Sequence, residues 1–213
     1  VSGETLSSID FDSADASNTP DTVAKINVET DDGSVGTYTA MTFSTATPSA
    51  LYEAMRIDSS QRVLIGYTAN ISVADHNAAL QVVGQGTADY HGATASIIGF
   101  SNNSNGSYLN FASGRSNTAG TYTIVANDDT VGQINFAAAD GTDMASRAAF
   151  INVNIDGAPS SNDTPGRIIF GTTADGASTP SERMRITSQG IVELYGNSSS
   201  TLHLKSSSPI LIA

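Results

Sequence analysis

The sequence has no cysteine and no tryptophan, and only nine of its 213 residues are lysine or arginine. Without cysteine the protein can form no disulfide, no thiolate metal site and no cysteine nucleophile. Its 21 acidic residues give a net charge of −12. This charge argues against nucleic acid as a partner, because phosphates are bound by clustered cations, and against an anionic membrane surface. No apolar run approaches the roughly 20 residues of a membrane helix, so we expect no membrane insertion either.

Charged residues make up only 14% of the chain, and Ser, Thr, Asn, Gly and Ala dominate the rest. This composition argues against long helices and against disorder driven by charge. Hydroxyl and amide side chains suit β surfaces and turns, where they bond neighbouring backbone. The composition therefore predicts an all-β protein of short strands joined by Gly, Asn and Asp turns.

One stretch of the sequence occurs twice. The earlier copy, residues 24–66, contains Glu53-Ala-Met-Arg-Ile57, and the later copy, residues 149–196, contains Glu182-Arg-Met-Arg-Ile186. Other landmarks recur in the same order, and only the polar connecting loops differ in length, as surface loops between constant strands allow. Such a repeat is typical of a modular or elongated architecture.

Each copy ends in two alternating apolar runs that flank a polar turn. Met55-Arg-Ile57 and Val63-Leu-Ile65 form the first pair, and Met184-Arg-Ile186 and Val192-Glu-Leu194 form the second. This pattern predicts a β-hairpin in each copy, with its Glu–Arg ion pair on the outer face and Met and Ile facing the core. A helix over 49–57 competes with the first hairpin, because Ala-Leu-Tyr-Glu-Ala-Met has good helix propensity.

The repeats divide the chain into five predicted segments: a connector (1–23), a first β repeat (24–66), an intervening β-rich module (67–148), a second β repeat (149–196) and a C-terminal strand or tail (197–213). Short apolar runs separated by turn residues predict strands in the intervening module. Their spacing favours a β-sandwich, a barrel or a stacked prism. The predicted strands are Leu80–Val83, Ser96–Phe100, Tyr108–Phe111, Tyr122–Val125 and Gln133–Phe136.

Paired carboxylates are the residues that a glycosidase would use, and the sequence offers several. Nearly all of them lie in Asp-Gly, Asn-Asp or Asp-Asp turns, where the side chain caps its own backbone. Aromatic residues, on which sugars stack, are only 7% of the chain. We therefore expect no catalytic residues among these candidates, which are Asp128, Asp129, Asp140, Asp143, Asp156 and Asp163.

Metal and cofactor motifs are incomplete. Asp31-Asp-Gly33 and Asp140-Gly-Thr-Asp143 resemble fragments of calcium loops but lack the alternating oxygen ligands of an EF-hand. Gly84-Gln-Gly86 is too short for a dinucleotide fingerprint. We expect no metal site and no cofactor.

Two further sets of residues follow from the pattern. Loop position alone predicts exposed residues that contact a glycan or a protein: Asn102, Asn103, Asn105, Tyr108, Arg115 and Tyr122. Apolar residues of the predicted strands are expected to form the structural interior: Ile26, Val28, Phe43, Met55, Ile57, Phe136, Ile151, Val153, Ile168, Phe170, Met184 and Ile186.

Several motifs together resemble the repetitive shaft region of bacteriophage tail fibre and tailspike proteins. They include Thr130-Val-Gly-Gln-Ile-Asn-Phe136, Asn162-Asp-Thr-Pro-Gly-Arg167 and Pro180-Ser-Glu-Arg-Met-Arg-Ile186. The resemblance covers residues 78–196 well and residues 24–66 more loosely.

The resemblance implies an elongated, extracellular virion appendage that supports host attachment without catalysis. Such a fibre is usually a parallel homotrimer, and its partners would be other tail or baseplate proteins and a glycan or protein of the host surface. Two alternatives stay open: a tailspike depolymerase that cleaves host polysaccharide, and an extracellular filament subunit.

Overall fold

The computed structural model describes residues 3–14, 22–31, 38–47, 50–84, 93–100, 102, 104 and 106–196. In these residues the protein has eleven strands and no helix, so the all-β prediction is confirmed. The chain divides into two compact units between Tyr108 and Leu109. Each unit contains one sheet.

The first unit holds a six-stranded sheet whose strands follow one another in chain order. All neighbours are antiparallel except the last two strands, which are parallel. The strands are β1 (Thr5–Asp12), β2 (Thr22–Thr30), β3 (Thr39–Ala46), β4 (Leu51–Ile57), β5 (Val63–Ile65) and β6 (Leu80–Val82).

The second unit holds a five-stranded meander, again in chain order, in which every pair of neighbours is antiparallel. Its strands are β7 (Thr130–Ala137), β8 (Arg147–Ile155), β9 (Gly166–Thr172), β10 (Ser181–Ile186) and β11 (Val192–Leu194).

The register of the two sheets shows that the sequence repeat is also a structural repeat. Phe43 pairs with Met55, which pairs in turn with Ile65. Phe170, Met184 and Leu194 occupy the same three places in the second sheet. Strands β2–β5 therefore correspond to strands β8–β11, and both predicted hairpins are confirmed.

The two copies also share an irregularity. On β4, Glu53 and Met55 pair with two consecutive residues of β3, so Ala54 between them is an extra residue without a partner there. On β10, Glu182 and Met184 likewise pair with two consecutive residues of β9, so Arg183 is the extra residue. Such a β-bulge shifts the alternation of side chains by one residue at that point. Both copies therefore bring a glutamate to the same face as the arginine three residues later.

Some local predictions were wrong. The alternative helix over 49–57 does not form: residues 51–57 are strand β4, as the hairpin prediction requires, because pairing with β3 and β5 outweighs helix propensity. The apolar runs at 96–100, 108–111 and 122–125 form no strand with the described part of the chain. The predictions at 80–83 and 133–136 are confirmed by β6 and β7.

The five-segment organisation stays a prediction. In the structure β1 lies within the predicted connector and pairs with β2, and β7 lies within the intervening module and pairs with β8. Residues 197–213 lie outside the described residues. No helix in the described ranges is long and apolar enough to cross a membrane.

Candidate functional site

One face of the first sheet is apolar along its whole width. Directly opposite residues on neighbouring strands lie on the same face, and so do residues two apart on one strand. These rules place two adjacent rows on this face. The first row is Ile9, Ile26, Phe43, Met55, Ile65 and Val82, and the second contains Val28, Met41, Ile57, Val63 and Leu80.

The second sheet repeats this arrangement. One row runs from Ile134 through Ile151, Phe170 and Met184 to Leu194. The row beside it contains Val153, Ile168, Ile186 and Val192, and it starts at Gly132 on β7. Both copies of the repeat therefore present a continuous apolar surface, which we call the apolar face of each sheet.

These apolar faces are only partly covered in the single chain. Ile57 is 39% exposed and Ile168 is 38% exposed. None of the twelve residues predicted to form the interior is buried within the single chain. The fully buried apolar residues of the described chain are instead Ala40, Leu64, Ala74, Ile155 and Ile169. A continuous apolar surface that the chain itself leaves partly exposed usually marks an interaction site.

The opposite face of the first sheet carries a buried charge cluster. Arg56 is only 8% exposed. Its guanidinium group donates to Glu53 at 2.6 and 2.8 Å, to Glu29 at 2.7 Å and to Asp31 at 3.0 Å. The hydrogen bonds with Glu53, above all, raise the pKa of Arg56. The pair lies on the face opposite Met55 and Ile57, as predicted, but it is buried rather than at the surface, because Glu29 on β2 and Asp31 just after β2 add two carboxylates around the arginine.

The second sheet has a looser version of this cluster. Arg185 pairs with Glu182, stacks over the Tyr195 ring at 5.1 Å and keeps 27% of its side chain exposed. Arg167 pairs with Asp128 and with Asp156.

Each unit also uses an aspartate to hold a hairpin turn. In the first unit, Asp31 Oδ2 accepts a hydrogen bond from the backbone N–H of Ser59 at 2.9 Å. In the second, Asp156 Oδ2 accepts one from Ser188 at 2.8 Å. Sequence reasoning missed this pair of contacts and the buried cluster. Their signal was present in the aligned acidic residues Asp31 and Asp156, which follow the equivalent strands β2 and β8.

The predicted contact residues are exposed where the structure describes them. Tyr108, in the first unit, is 69% exposed, and Asn102 is also exposed. Asn103 and Asn105 lie outside the described residues. In the second unit, the backbone N–H of Arg115 bonds the carbonyl of Thr123 at 3.2 Å, which brings Arg115 close to Tyr122. Their role in host contact stays a prediction.

Arg115 is held firmly by a carboxylate. Its Nε and Nη2 atoms both donate to Asp129, each at 2.7 Å. The loop that carries Arg115 and Tyr122 lines an open cavity of about 410 Å³, together with Thr164. Hydroxyl groups of Ser116, Thr118 and Thr121 lie around this cavity, so it could accept a polar ligand through hydrogen bonds.

The candidate catalytic aspartates mainly support loops. Asp140 Oδ1 accepts backbone hydrogen bonds from Thr142 and Asp143, and Asp143 Oδ1 accepts one from Ala145. These bonds confirm the predicted turn-capping role at both positions. Hydrogen bonds from Thr142, Asp143 and Ser146 lower the pKa of Asp140, and those from Ser188 and Arg167 lower the pKa of Asp156. In the described ranges no three His, Asp or Glu side chains are grouped so that they could hold a metal ion.

Comparison with known proteins identifies the fold. No protein-family model and no curated protein sequence matches the chain. Among solved structures, the chain is similar to the carboxy-terminal domain of the bacteriophage T5 L-shaped tail fibre, with a TM-score of 0.70 and 10% identity over 100% of this chain and 88% of that one. It is also similar to the same domain determined with its intra-molecular chaperone domain, with a TM-score of 0.69 and 13% identity. The chain spans 60% of the length of that second structure. The fold is therefore that of a tail-fibre domain.

Proposed function

We propose that this protein is a segment of a bacteriophage tail fibre, located on the virion and outside the cell, that supports host attachment mechanically rather than by catalysis. The observation that carries the proposal is the partly exposed apolar face of both sheets. The likeness in fold to a tail-fibre domain supports it, and so do the fibre-like motifs of the sequence.

Two further copies of the chain are the proposed occupants of the apolar faces. A sheet with one polar and one apolar face has to bury the apolar face against another layer. Soluble homo-oligomers close this way around a symmetry axis. Three chains that turn their apolar faces inward would share one interior, and the charge cluster around Arg56 would stay within each chain. Such a shaft needs no disulfide, in agreement with the absence of cysteine.

The exposed residues of the loops would then face outward. Tyr108 in the first unit, and Tyr122 with the cavity beside it in the second, are the proposed contacts to a glycan or a protein of the host surface. Other tail or baseplate proteins are the proposed partners at the ends of the fibre. Several fibres on one virion would convert weak individual contacts into useful avidity.

The pKa values of the acidic residues support the non-enzymatic proposal over a depolymerase. A glycosidase needs one carboxylic acid with a raised pKa to protonate the leaving group. In the described chain, every carboxyl group with a clear pKa shift is shifted downward: Asp31, Asp129, Asp140 and Asp156.

Light scattering after size exclusion tests the proposed association. We expect the protein to have about three times the mass of the 21.9 kDa chain. The double substitution Ile57→Lys and Ile168→Lys places charges on both apolar faces at positions already exposed in the single chain, so we expect it to yield single chains that keep their strands.

Tyr38→Lys is the matched control for this experiment, because Tyr38 is 50% exposed and lies outside all the apolar rows. We expect this variant to keep the mass of the unsubstituted protein. A monomeric unsubstituted protein would contradict the trimer. Release of sugar from host polysaccharide by the purified protein would contradict the non-enzymatic role.

A further inference from the structure

Residues 93–125 contain three apolar runs typical of strands, yet the described part of this segment forms no strand with its own chain. Only two backbone–backbone hydrogen bonds join described residues within it, from Arg115 to Thr123 and from Thr121 to Thr118. Backbone N–H and C=O groups in a folded protein need partners. Most of those in this segment find none among the described residues of the chain.

Most apolar side chains of the segment are also largely exposed, although Phe111 lies against Gly132 of β7. Phe100 is 99% exposed, and Ile98, Leu109 and Phe111 are each more than half exposed. Most of these residues are more exposed than those on the apolar faces of the two sheets. A segment with such residues differs from a disordered linker, which is poor in aromatic and β-branched residues.

The backbone of the segment is already arranged for pairing. In the first unit, a Cβ atom built on Gly99 would lie 2.8 Å from Oγ of Ser107, so these two arms lie side by side. In the second unit, the hydrogen bond between Arg115 and Thr123 joins another two arms around a turn that contains Gly120, the one described residue here with positive φ. Each unit therefore presents hairpin-like arms without a completed ladder.

The composition of the segment indicates what kind of partner completes that ladder. Residues 93–125 contain no proline, no lysine and no acidic residue, and Arg115 is their single charge. Asp129 neutralises that charge through two hydrogen bonds. Strand edges that must stay unpaired usually carry lysine, proline or inward-pointing charges that block association, and this segment has none of these protections. The whole chain has a net charge of −12. Identical copies would therefore meet the least electrostatic repulsion if they approach one another through this nearly uncharged segment.

We propose that the described residues of 93–100 and 106–125 form strands by pairing with the same segment of other copies of the chain. In the assembled protein the sheets of β1–β6 and β7–β11 stay within one chain, whereas the sheet in this segment is shared between chains. The proposal rests on the association proposed above, but it concerns a different surface. It assigns the segment as the place where the copies become intertwined. Because strands pair through their backbone edges, the side chains of Tyr108 and Tyr122 can still face outward for the contacts proposed above.

Hydrogen–deuterium exchange on the 213-residue chain tests this proposal. In the assembled protein, we expect the amides of 106–125 to exchange roughly 100-fold more slowly than the same amides in the monomeric variant Ile57→Lys, Ile168→Lys. The amides of β8 and β9 serve as the internal control, because their partners lie within the chain, and they should stay protected in both proteins. Equally fast exchange of the segment in an assembly of three chains would overturn the inference while leaving the proposed function intact. If the unsubstituted protein is a monomer, both this inference and the proposed association of three chains are contradicted. Light scattering identifies that case directly.

A second measurement covers the case in which the lysine variant fails to fold. Trimers assembled from equal amounts of isotopically labelled and unlabelled chains report, in filtered nuclear Overhauser spectra, only contacts between chains. We expect such contacts at the methyl groups of Ile98, Leu109 and Ile124. Interchain contacts limited to the apolar faces, with none in the segment, would contradict the proposal.

Discussion

Glu53 and Arg56 lie three residues apart on β4 and yet meet on one face of the sheet, with Oε1 and Nε 2.6 Å apart. In a regular strand, residues three apart point to opposite faces. The extra residue Ala54 removes that difference, because it shifts the alternation by one. The bulge therefore brings two side chains that a regular strand would place on opposite faces into one buried cluster.

Replacement of this arginine should be costly. Arg56→Ala leaves Glu29, Glu53 and Asp31 without their cation in a largely buried place, and we expect a loss of about 3–5 kcal/mol in the free energy of unfolding. The equivalent Arg185→Ala is the matched control, since that side chain is more exposed, and its loss should be only about 0–1 kcal/mol. Urea titrations at equal protein concentration measure both. Equal losses for the two variants would show that the burial of Arg56 has no energetic weight.

Gly171 on β9 leaves room for the ring of Phe150 on the neighbouring strand. A Cβ atom at Gly171 would lie 2.2 Å from Cε1 of that ring. We expect Gly171→Ala to destabilise the protein by about 1–3 kcal/mol, because it overpacks this contact. Gly166→Ala, on the same strand, would meet only the carbonyl of Asn154 at 3.9 Å and should be nearly neutral. The second substitution Phe150→Leu should recover part of the loss at Gly171, and thermal unfolding of the variants measures this.

The turns of the two equivalent hairpins differ at one position that needs positive φ. Gln61 has a φ of 62° in the first hairpin, and Gly190 has 78° at the equivalent place in the second. Left-handed backbone costs a residue with a Cβ atom roughly 1–2 kcal/mol, whereas glycine adds about 0.5–1 kcal/mol of chain entropy in the unfolded state. Gln61→Gly should therefore raise the unfolding temperature slightly, and Gly190→Gln should lower it. Changes of the same sign in both variants would contradict this explanation.

Acid should weaken the contact between Arg115 and Asp129. The hydrogen bonds from Arg115 and then from the backbone N–H of Ala126 lower the pKa of Asp129 to about 2. A carboxyl group whose pKa is lower in the folded state contributes stability above its unfolded pKa of about 4 and loses it as the pH falls through its folded pKa. The loss should thus occur between about pH 4 and pH 2.

Carboxyl carbon shifts of Asp129, followed by NMR during an acid titration, measure this pKa directly. Arg115→Gln removes the largest cause of the shift, so it should return the pKa of Asp129 towards its ordinary value near 4. Asp129→Asn should abolish the corresponding part of the acid destabilisation. An Asp129 that already titrates near pH 4 in the unsubstituted protein would contradict the bidentate contact.

Local patterns were sufficient to predict much of the fold. Alternation on both sides of a short polar turn identified the two hairpins, because the side-chain period of a strand is visible in a few consecutive residues. The same reasoning left a helix over 49–57 open as an alternative, because the residues that pair with this strand lie elsewhere in the chain. It also predicted strands around Phe100 and Tyr122, and these residues have strand character without a strand partner in the described chain.

The exposed contact candidates were predicted from loop position, and their exposure agrees with it at Asn102, Tyr108 and Tyr122. Their role depends on a host partner and stays a proposal. The buried cluster was not predicted, because it requires knowledge of which carboxylates lie across the sheet. Glu29 lies 27 residues before Arg56 in the chain.

By itself, the sequence determined the β class, the repeat and the alternation that makes one face of each sheet apolar, since these depend on neighbouring residues. Only the tertiary structure decided that Arg56 is buried while Arg185 stays partly open. The position equivalent to Glu29 is Asn154 in the second copy, so one carboxylate is missing there. Burial depends on what the other strands place around a residue, and a shift of one residue at a bulge changes which side chains meet.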